Sequence, residues 1–365
     1  MSATAALLVI GSVGMPAATA DVPAADAIDL SAPVYVRTGK GPQSVATGDF
    51  NSDGVLDLIS ADSQTSDLAI VFGLGGGTFR EPVRLPQPVG SSPKTVVVSD
   101  FDGDRRQDLA VTLGTADVVN VLIGNGRGRF ATPSSYPAGD SPGDMVARDL
   151  DDDGDADLVV ANLRSDDVSV LLGDGEGGFA VEARYPVGDE PTALDVGDLN
   201  GDDVAGVVVA NIVASTVSVL IGDGSGVLDL VADIPVADFP RDVILADFDG
   251  DDQLDMAVGT NDTMVDNRDT VSVFRGDGAG GFRGSRSYQV LDQVDSLTAA
   301  DFNADGIVDL VVTTGYGPIF SRKGYVSVLE GTGGALAADP TTVESNSFPR
   351  MPTSPTSMGT ATLTS

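Results

Sequence analysis

The run Asp49-Phe50-Asn51-Ser52-Asp53-Gly54-Val55-Leu56-Asp57-Leu58 places oxygen-bearing side chains at positions 1, 3, 5 and 9 of a short loop. Side chains at that spacing converge when the chain turns tightly, and position 7 can add its backbone carbonyl. About six hard oxygen donors suit Ca²⁺ better than Mg²⁺, which prefers to keep several waters. The donors here are Asp49, Asn51, Asp53, the carbonyl of Val55, and Asp57. Gly54 at position 6 permits a sharp bend.

The same pattern returns as DFDGDRRQDL, DLDDDGDADL, DLNGDDVAGV, DFDGDDQLDM and DFNADGIVDL. The candidate metal ligands are Asp100, Asp102, Asp104, Arg106 and Asp108 in the second copy, and Asp149, Asp151, Asp153, Asp155 and Asp157 in the third. The fourth offers Asp198, Asn200 and Asp202; the fifth Asp247, Asp249, Asp251, Gln253 and Asp255; the sixth Asp301, Asn303, Asp305, Ile307 and Asp309. Arg106, Asp155, Gln253 and Ile307 stand at position 7 and enter through their carbonyls. An EF-hand opens similarly, but it needs a bidentate Glu at position 12 and flanking helices. Position 12 is Ser60, Val111, Val160, Val209, Val258 and Val312, and the flanks are β-branched or alternating, which predicts strands. The loops therefore sit in β-hairpins.

Successive copies start 51, 49, 49, 49 and 54 residues apart. A steady period near fifty marks a repeat array in which each copy is one structural unit. Within a unit, an outer strand such as Val34–Arg37 leads to an inner strand ending at the first Asp. A second strand follows the loop (Asp57–Ala61), then a third (Leu68–Phe72), then a Gly-rich turn and a fourth beginning at Phe79. Four short antiparallel strands per unit predict an all-β fold, a β-propeller of four-stranded blades. Apolar residues at loop positions 2 and 10 are assigned to packing between blades.

Composition excludes several functions. The chain of 365 residues has no Cys and no His, so disulfides, thiol chemistry and the commonest general base are absent. A net charge of −35 with no basic cluster argues against nucleic acid. Twenty of the 55 acidic residues fall at positions 1, 3, 5 and 9 of the loops. Six Ca²⁺ would bring −35 to −23 (−35 + 12), so much of this charge is placed for a purpose.

Residues 1–20 carry no charge and end in Ala18-Thr19-Ala20, the small-x-small pattern of a secretory cleavage site. A signal peptide, and so a secreted or periplasmic protein, is expected. Residues 21–30 form a linker and 31–349 the propeller. Ser347-Phe348-Pro349-Arg350 matches the entry to the fifth unit, but the low-complexity stretch 350–365 follows it. Back-translated with G/C-rich codons and read in a shifted frame, that stretch permits a further acidic loop, so a frameshifted or disordered tail after a fragmentary seventh unit is expected.

Two Gly-rich turns, Gly173–Gly178 and Gly276–Gly281, match G-x-G-x-x-G, but a dinucleotide site requires a helix to follow and here a strand is predicted. Arg275-Gly276-Asp277 spells an adhesion tripeptide, yet its register repeats the Gly-Asp-Gly of other turns.

G-D-F-N-x-D-G-x-x-D-L followed by G-x-G-x-F resembles the FG-GAP/VCBS repeats of integrin α-subunit propellers and of many secreted bacterial proteins. The resemblance spans roughly residues 31–349. It implies a propeller, usually of seven blades, with Ca²⁺ loops on one face and ligand-binding loops on the other.

The third loop, with four carboxylates and Gly154, is expected to bind Ca²⁺ best. Arg105 and Arg106 are expected to compete with metal in the second, and Asp252 to strain the fifth. The fourth, with Gly206 at position 9, is expected to be weak or empty. No separate cluster of titratable residues suggests catalysis. Two enlarged loops on the face away from the acidic loops, Asn261–Asp269 and Gly315–Gly324, combine apolar and basic side chains and predict a contact surface for a protein or polysaccharide. The expected role is a non-catalytic binding module, with an extracellular lyase or phosphodiesterase and a matrix protein as alternatives, and a monomer is expected.

Overall fold

The computed structural model describes residues 36, 38–261, 269–291, 293–315 and 324–345. These form six four-stranded antiparallel sheets, with no helix among the described residues. Blade 1 consists of Pro42–Gly48, Asp57–Asp62, Asp67–Val71 and Val83–Pro86. Blade 2 consists of Pro93–Ser99, Asp108–Leu113, Val118–Leu122 and Ser134–Pro137. Blade 3 has Pro142–Arg148, Asp157–Asn162, Asp167–Leu171 and Ala183–Pro186; blade 4 has Pro191–Asp198, Ala205–Asn211, Thr216–Gly222 and Leu228–Pro235. Blade 5 has Pro240–Ala246, Asp255–Thr260, Thr270–Gly276 and Phe282–Gln289; blade 6 has Val294–Ala300, Asp309–Thr314, Gly324–Leu329 and Thr341–Ser345.

Strands pair in chain order, so each blade is a meander whose first strand lies nearest the axis and whose fourth lies outermost. The acidic loop joins the first and second strands. It shares a face with the Gly-rich turn after the third strand, while the second-to-third connection lies on the opposite face. The second strand of blade 3 is buried throughout, because it is covered on both sides by neighbouring sheets.

The predicted fourth strand at Phe79 divides in blade 1. Thr78–Phe79 pairs only with Gly73–Gly75, and the outer strand proper begins at Val83. Pro82 and Pro133 lack the N–H that a continuous ladder needs. In blades 4 and 5 the outer strands Leu228–Pro235 and Phe282–Gln289 run unbroken past a bulge. The proposed outer strand Val34–Arg37 lies outside the described residues apart from Val36, which is in no strand. The stretches read as a signal peptide (1–20), a linker (21–30), the fragmentary seventh unit and the tail (350–365) also lie outside the described residues.

The blades are joined by hydrophobic clusters. Phe50, Ile59 and Ile70 of blade 1 pack with Val96, Leu109 and Leu122 of blade 2. Phe101, Leu150, Leu199 and Phe248, all at loop position 2, each face the following blade in the same way. Position 10 (Leu109, Leu158, Val207, Met256, Leu310) faces the preceding blade. The Gly turn of the following blade also donates to loop position 2, as in Gly128 N to Phe50 O (2.7 Å) and Gly177 N to Phe101 O (2.9 Å).

Five such clusters join six blades. On the far side of blade 6, Val311, Val326 and Val328 with Phe302 form a small group that includes no described residue of blade 1. Val45 of blade 1 is 41 % exposed, whereas its counterpart Val96 is 3 % exposed and Met145, Leu194, Val243 and Leu297 are all buried. Blades 1 and 6 therefore share no described hydrophobic cluster.

Candidate functional site

Each acidic loop bends through two left-handed residues, at positions 4 and 6. They are Ser52 and Gly54, Gly103 and Arg105, Asp152 and Gly154, Gly201 and Asp203, Gly250 and Asp252, and Ala304 and Gly306. Every loop supplies one glycine to this pair, at position 4 or at position 6. The sequence reading recognised only position 6 and so overstated the handicap of Asp252, whose partner Gly250 takes the other bend at φ +79°.

The carboxylates hold these bends through backbone N–H groups. Asp49 Oδ1 accepts from Asp53 N (3.1 Å) and its Oδ2 from Gly54 N (2.8 Å). Asp100 and Asp301 do the same with Asp104 and Arg105, and with Asp305 and Gly306. Position 5 accepts from position 7: Asp53 from Val55, Asp104 from Arg106, Asp153 from Asp155, Asp251 from Gln253 and Asp305 from Ile307.

Position 9 does something different. Asp57, Asp108, Asp157 and Asp309 are wholly buried and Asp255 almost so. Each uses one oxygen to receive the position 2 N–H of its loop and the other to receive a glycine N–H of the Gly-rich turn. For Asp157 these are Leu150 N (2.8 Å) and Gly173 N (2.7 Å). For Asp108 they are Phe101 N (2.8 Å) and Gly124 N (2.6 Å). Position 9 is thus a clamp between the loop and its turn. Burial pushes the carboxyls of Asp108 and Asp157 up to about 6 despite these bonds, with neighbouring loop carboxylates adding to the rise.

In blade 4 this clamp is missing. Gly206 pairs with Gly197 and Asp198 with Ala205, so the ladder closes one pair further than at Gly48–Asp57 in blade 1. A Cβ on Gly206 would meet Leu220 O at 2.8 Å, so no larger residue fits. Asn200 is turned onto Asp202 (2.9 Å), and both oxygens of Asp198 hold backbone N–H groups. The desolvation of Asp198 is outweighed by those donors, and its carboxyl lies below the usual range.

Three loops bring carboxylate oxygens within 4.8 Å of one another: Asp100, Asp102 and Asp108; Asp149, Asp151 and Asp157; and Asp247, Asp249 and Asp251. A second observation bears on whether a cation fits. Asn51 Oδ1, Asp149 Oδ1, Asp151 Oδ1 and Asp249 Oδ1 are buried and have no hydrogen-bond partner. All four are at positions 1 or 3. Buried acceptors without a donor are costly, and a cation among them removes that cost. Burial, together with adjacent loop carboxylates, also raises Asp102 and Asp151.

Guanidinium groups modify two loops. Arg106 pairs with Asp104 at 2.7 Å, a competition the sequence suggested. Arg275 pairs with Asp249 at 3.1 Å and donates to Gly334 O of blade 6, which the sequence reading missed. The signal was available: the counterparts of Arg275 in blades 1 to 4 are Phe72, Ile123, Leu172 and Ile221, all apolar, and Arg275 is the one basic residue at this position (blade 6 has Glu330). Arg275→Leu should therefore raise calcium affinity at the fifth loop by up to about fivefold, the upper range for an exposed ion pair, as read by calcium titration against wild type.

The sequence look-alikes resolve as turns. Asp277 accepts from Ala279 and Gly281 and pairs with Arg283, so both charged members of Arg275-Gly276-Asp277 are engaged in the fold. The two G-x-G-x-x-G runs lead to Ala183–Pro186 and Phe282–Gln289, which are strands.

A group that sequence reasoning overlooked lines the central channel. Asp144, Asp195 and Asp242 on the innermost strands accept from Leu194 N (3.0 Å), Leu245 N (2.8 Å) and Leu297 N (2.6 Å) of the next blade. Burial, with Asp144 as the nearest charge, pushes Asp242 up to about 8, and burial pushes Asp144 up to about 6. Arg148 faces Asp195 and partly offsets its rise. A carboxyl raised on folding makes the folded chain bind more protons, so its contribution favours folding below about 4 and is lost as pH climbs towards 8. Asp242→Asn should raise the melting temperature at pH 8, with the gain vanishing below pH 4. Thermal scans across that range give the check.

On the opposite face a cavity of about 230 Å³ is lined by residues of blades 4, 5 and 6, including Phe239, Arg241, Gln293 and Asp295. It borders both enlarged loops at Asn261 and Gly315; residues 262–268 and 316–323 of those loops lie outside the described residues. No helix of the described residues is long and apolar enough to cross a membrane.

Comparison with known proteins agrees with this architecture. The FG-GAP-like repeat model matches residues 49–111, 100–160 and 149–209, and the FG-GAP repeat model matches residues 294–329. No curated protein matches the chain by sequence. A Lactobacillus plantarum protein superimposes with a TM-score of 0.60 at 15 % identity, covering 88 % of this chain and 91 % of its own. A Desulfotomaculum acetoxidans protein of unknown function gives 0.58 at 13 % identity, over 83 % and 88 %. An Agrocybe aegerita lectin that recognises non-reducing terminal N-acetylglucosamine gives 0.56 at 15 % identity, over 84 % and 86 %. At such identities these likenesses speak for the fold alone. With its recurring acidic loops, its Gly-rich turns and six blades of one plan, this chain is a β-propeller built of FG-GAP repeats.

Proposed function

We propose that this chain is a secreted, calcium-stabilised propeller that acts by binding a protein or polysaccharide through the face opposite its acidic loops, without catalysis of its own. The observation that carries the calcium reading is the set of buried, donorless oxygens at positions 1 and 3. Asp49, Asn51, Asp53 and Asp57 would hold the ion in blade 1, with the corresponding residues in blades 2, 3, 5 and 6. Ca²⁺ would supply charge compensation that pins each loop to its turn. Affinities of about 10⁻⁴ to 10⁻³ M suit extracellular modules. The uncharged first twenty residues support export.

The binding face is inferred from the cavity between the two enlarged loops, the one place among the described residues where an exposed aromatic and an unpaired Arg meet. A sugar site on a propeller of this general shape, as in the Agrocybe aegerita lectin, is consistent with that reading. The test replaces 261–269 and 315–324 with the short connection of blade 3. Loss of glycan-array or pull-down binding with unchanged melting supports the assignment, and retained binding overturns it.

A second reading, an extracellular lyase or phosphodiesterase, has one observation in its favour. Two of the channel carboxyls, Asp144 and above all Asp242, are raised into the range of general acids. Each, however, already holds an inter-blade N–H. Turnover of any polysaccharide or phosphodiester that Asp242→Asn abolishes would favour this reading over the first.

A further inference from the structure

The entry to the first strand adopts one backbone conformation in blades 1 to 5. Gly41, Ser92, Ser141, Glu190 and Phe239 all stand at φ between +52° and +64°. Their carbonyls accept from the end of the second strand, as in Gly114 N to Ser92 O (3.1 Å) and Asn261 N to Phe239 O (3.2 Å). That role uses only the main chain, and small residues fill it in three of the five blades. A left-handed Phe is strained relative to Gly, and outliers of this kind gather at functional sites. The ring does not repay the strain by burial, because Phe239 is 37 % exposed on the cavity wall.

Two residues further on, blade 5 carries Arg241 and blade 6 carries Asp295 at the equivalent position, so a donor and an acceptor line the same cavity. They form no ion pair with each other or with any other described residue. In a chain with 20 basic and 55 acidic residues, an Arg left unpaired beside an Asp marks a gap that a third group can bridge. Gln293 and the main chain at Gly315 add further polar lining.

We propose that this cavity binds one neutral pyranose unit of a glycan. The proposal rests on the reading of the opposite face as the binding face. The volume of about 230 Å³ is below the range of about 300–1,000 Å³ that drug-sized ligands fill, and it suits a single sugar ring. The electron-rich face of Phe239 receives the polarised C–H face of the ring. Adjacent hydroxyls, each both donor and acceptor, bridge the Arg241 guanidinium and the Asp295 carboxylate. A neutral sugar also avoids the repulsion that an anionic polymer meets near a protein of charge −35.

The test titrates the calcium-loaded full chain with methyl glycosides of glucose, galactose, mannose and N-acetylglucosamine, followed by saturation-transfer NMR and calorimetry. At least one should bind saturably. Phe239→Ser, which installs the residue already used in blades 2 and 3, should weaken it about tenfold or more with unchanged melting, as should Arg241→Gln and Asp295→Asn. If no glycoside saturates the protein, or if binding survives Phe239→Ser, the proposal falls. Glycoside binding that survives Phe239→Ser but is lost on loop replacement overturns the cavity and leaves the face. Binding that survives both overturns the face as well. Capture of a protein partner that depends on Phe239, with no glycoside bound, overturns the sugar and leaves the face.

Discussion

Chelation with EDTA should lower the melting temperature by about 10 °C or more, and added Ca²⁺ should restore it. The loops of blades 1, 2 and 3 combine converging acceptors with buried donorless oxygens or clustered carboxylates. An ion bound only by the folded chain at ten- to hundredfold its Kd contributes roughly 1–3 kcal/mol per site. Three such sites contribute several kcal/mol, and for a domain of this size each kcal/mol moves the transition by about 2–4 °C. Mg²⁺ should restore far less, because the donors are too many and too loosely arranged for its octahedron. Differential scanning calorimetry in matched ionic strength checks this, and an EDTA scan that overlays the calcium scan would count against resident metal.

Asp157→Ala should destabilise the protein by about 3–5 kcal/mol whether or not calcium is present. The side chain is buried and receives two main-chain N–H groups that have no other acceptor. Hydrogen bonds to a charged acceptor are worth about 1.5–3 kcal/mol each, and stranded donors keep their desolvation cost. Asp151→Ala makes the contrast. Asp151 Oδ1 has no partner, so its loss should matter in calcium and nearly vanish in EDTA. Urea denaturation of both variants in the two buffers separates a clamp from a pure ligand. Equal calcium dependence in the two would mean that position 9 acts chiefly through metal.

The division between clamp and ligand was only partly legible in the sequence. Period, blade plan, loop face and interblade packing at positions 2 and 10 all follow from recurring residue types, because each unit repeats the same local solution. Spacing alone could not show that Asp57 and its counterparts face inward onto the Gly turn, since that depends on a partner sixteen residues away in the second strand's return. Nor could it show that Arg275 reaches Asp249, a contact made across separate turns. The Asp144, Asp195 and Asp242 staples were hidden for a related reason. They occupy two different strand positions and act between blades, so no single repeat displays them. The cavity at Phe239 was legible in part. An exposed aromatic where other blades place Gly, Ser, Glu or Gln is a departure that sequence comparison of the repeats reveals, although its strain is visible only in the backbone.

The most direct measurement is the calcium content of the folded protein after equilibrium dialysis against about 1 mM Ca²⁺, within the range expected of extracellular sites. Roughly five ions per chain are predicted, from the loops of blades 1, 2, 3, 5 and 6, with about one lost in Asp151→Ala and none lost in Asp202→Ala. A folded chain that retains no calcium under these conditions would contradict the account.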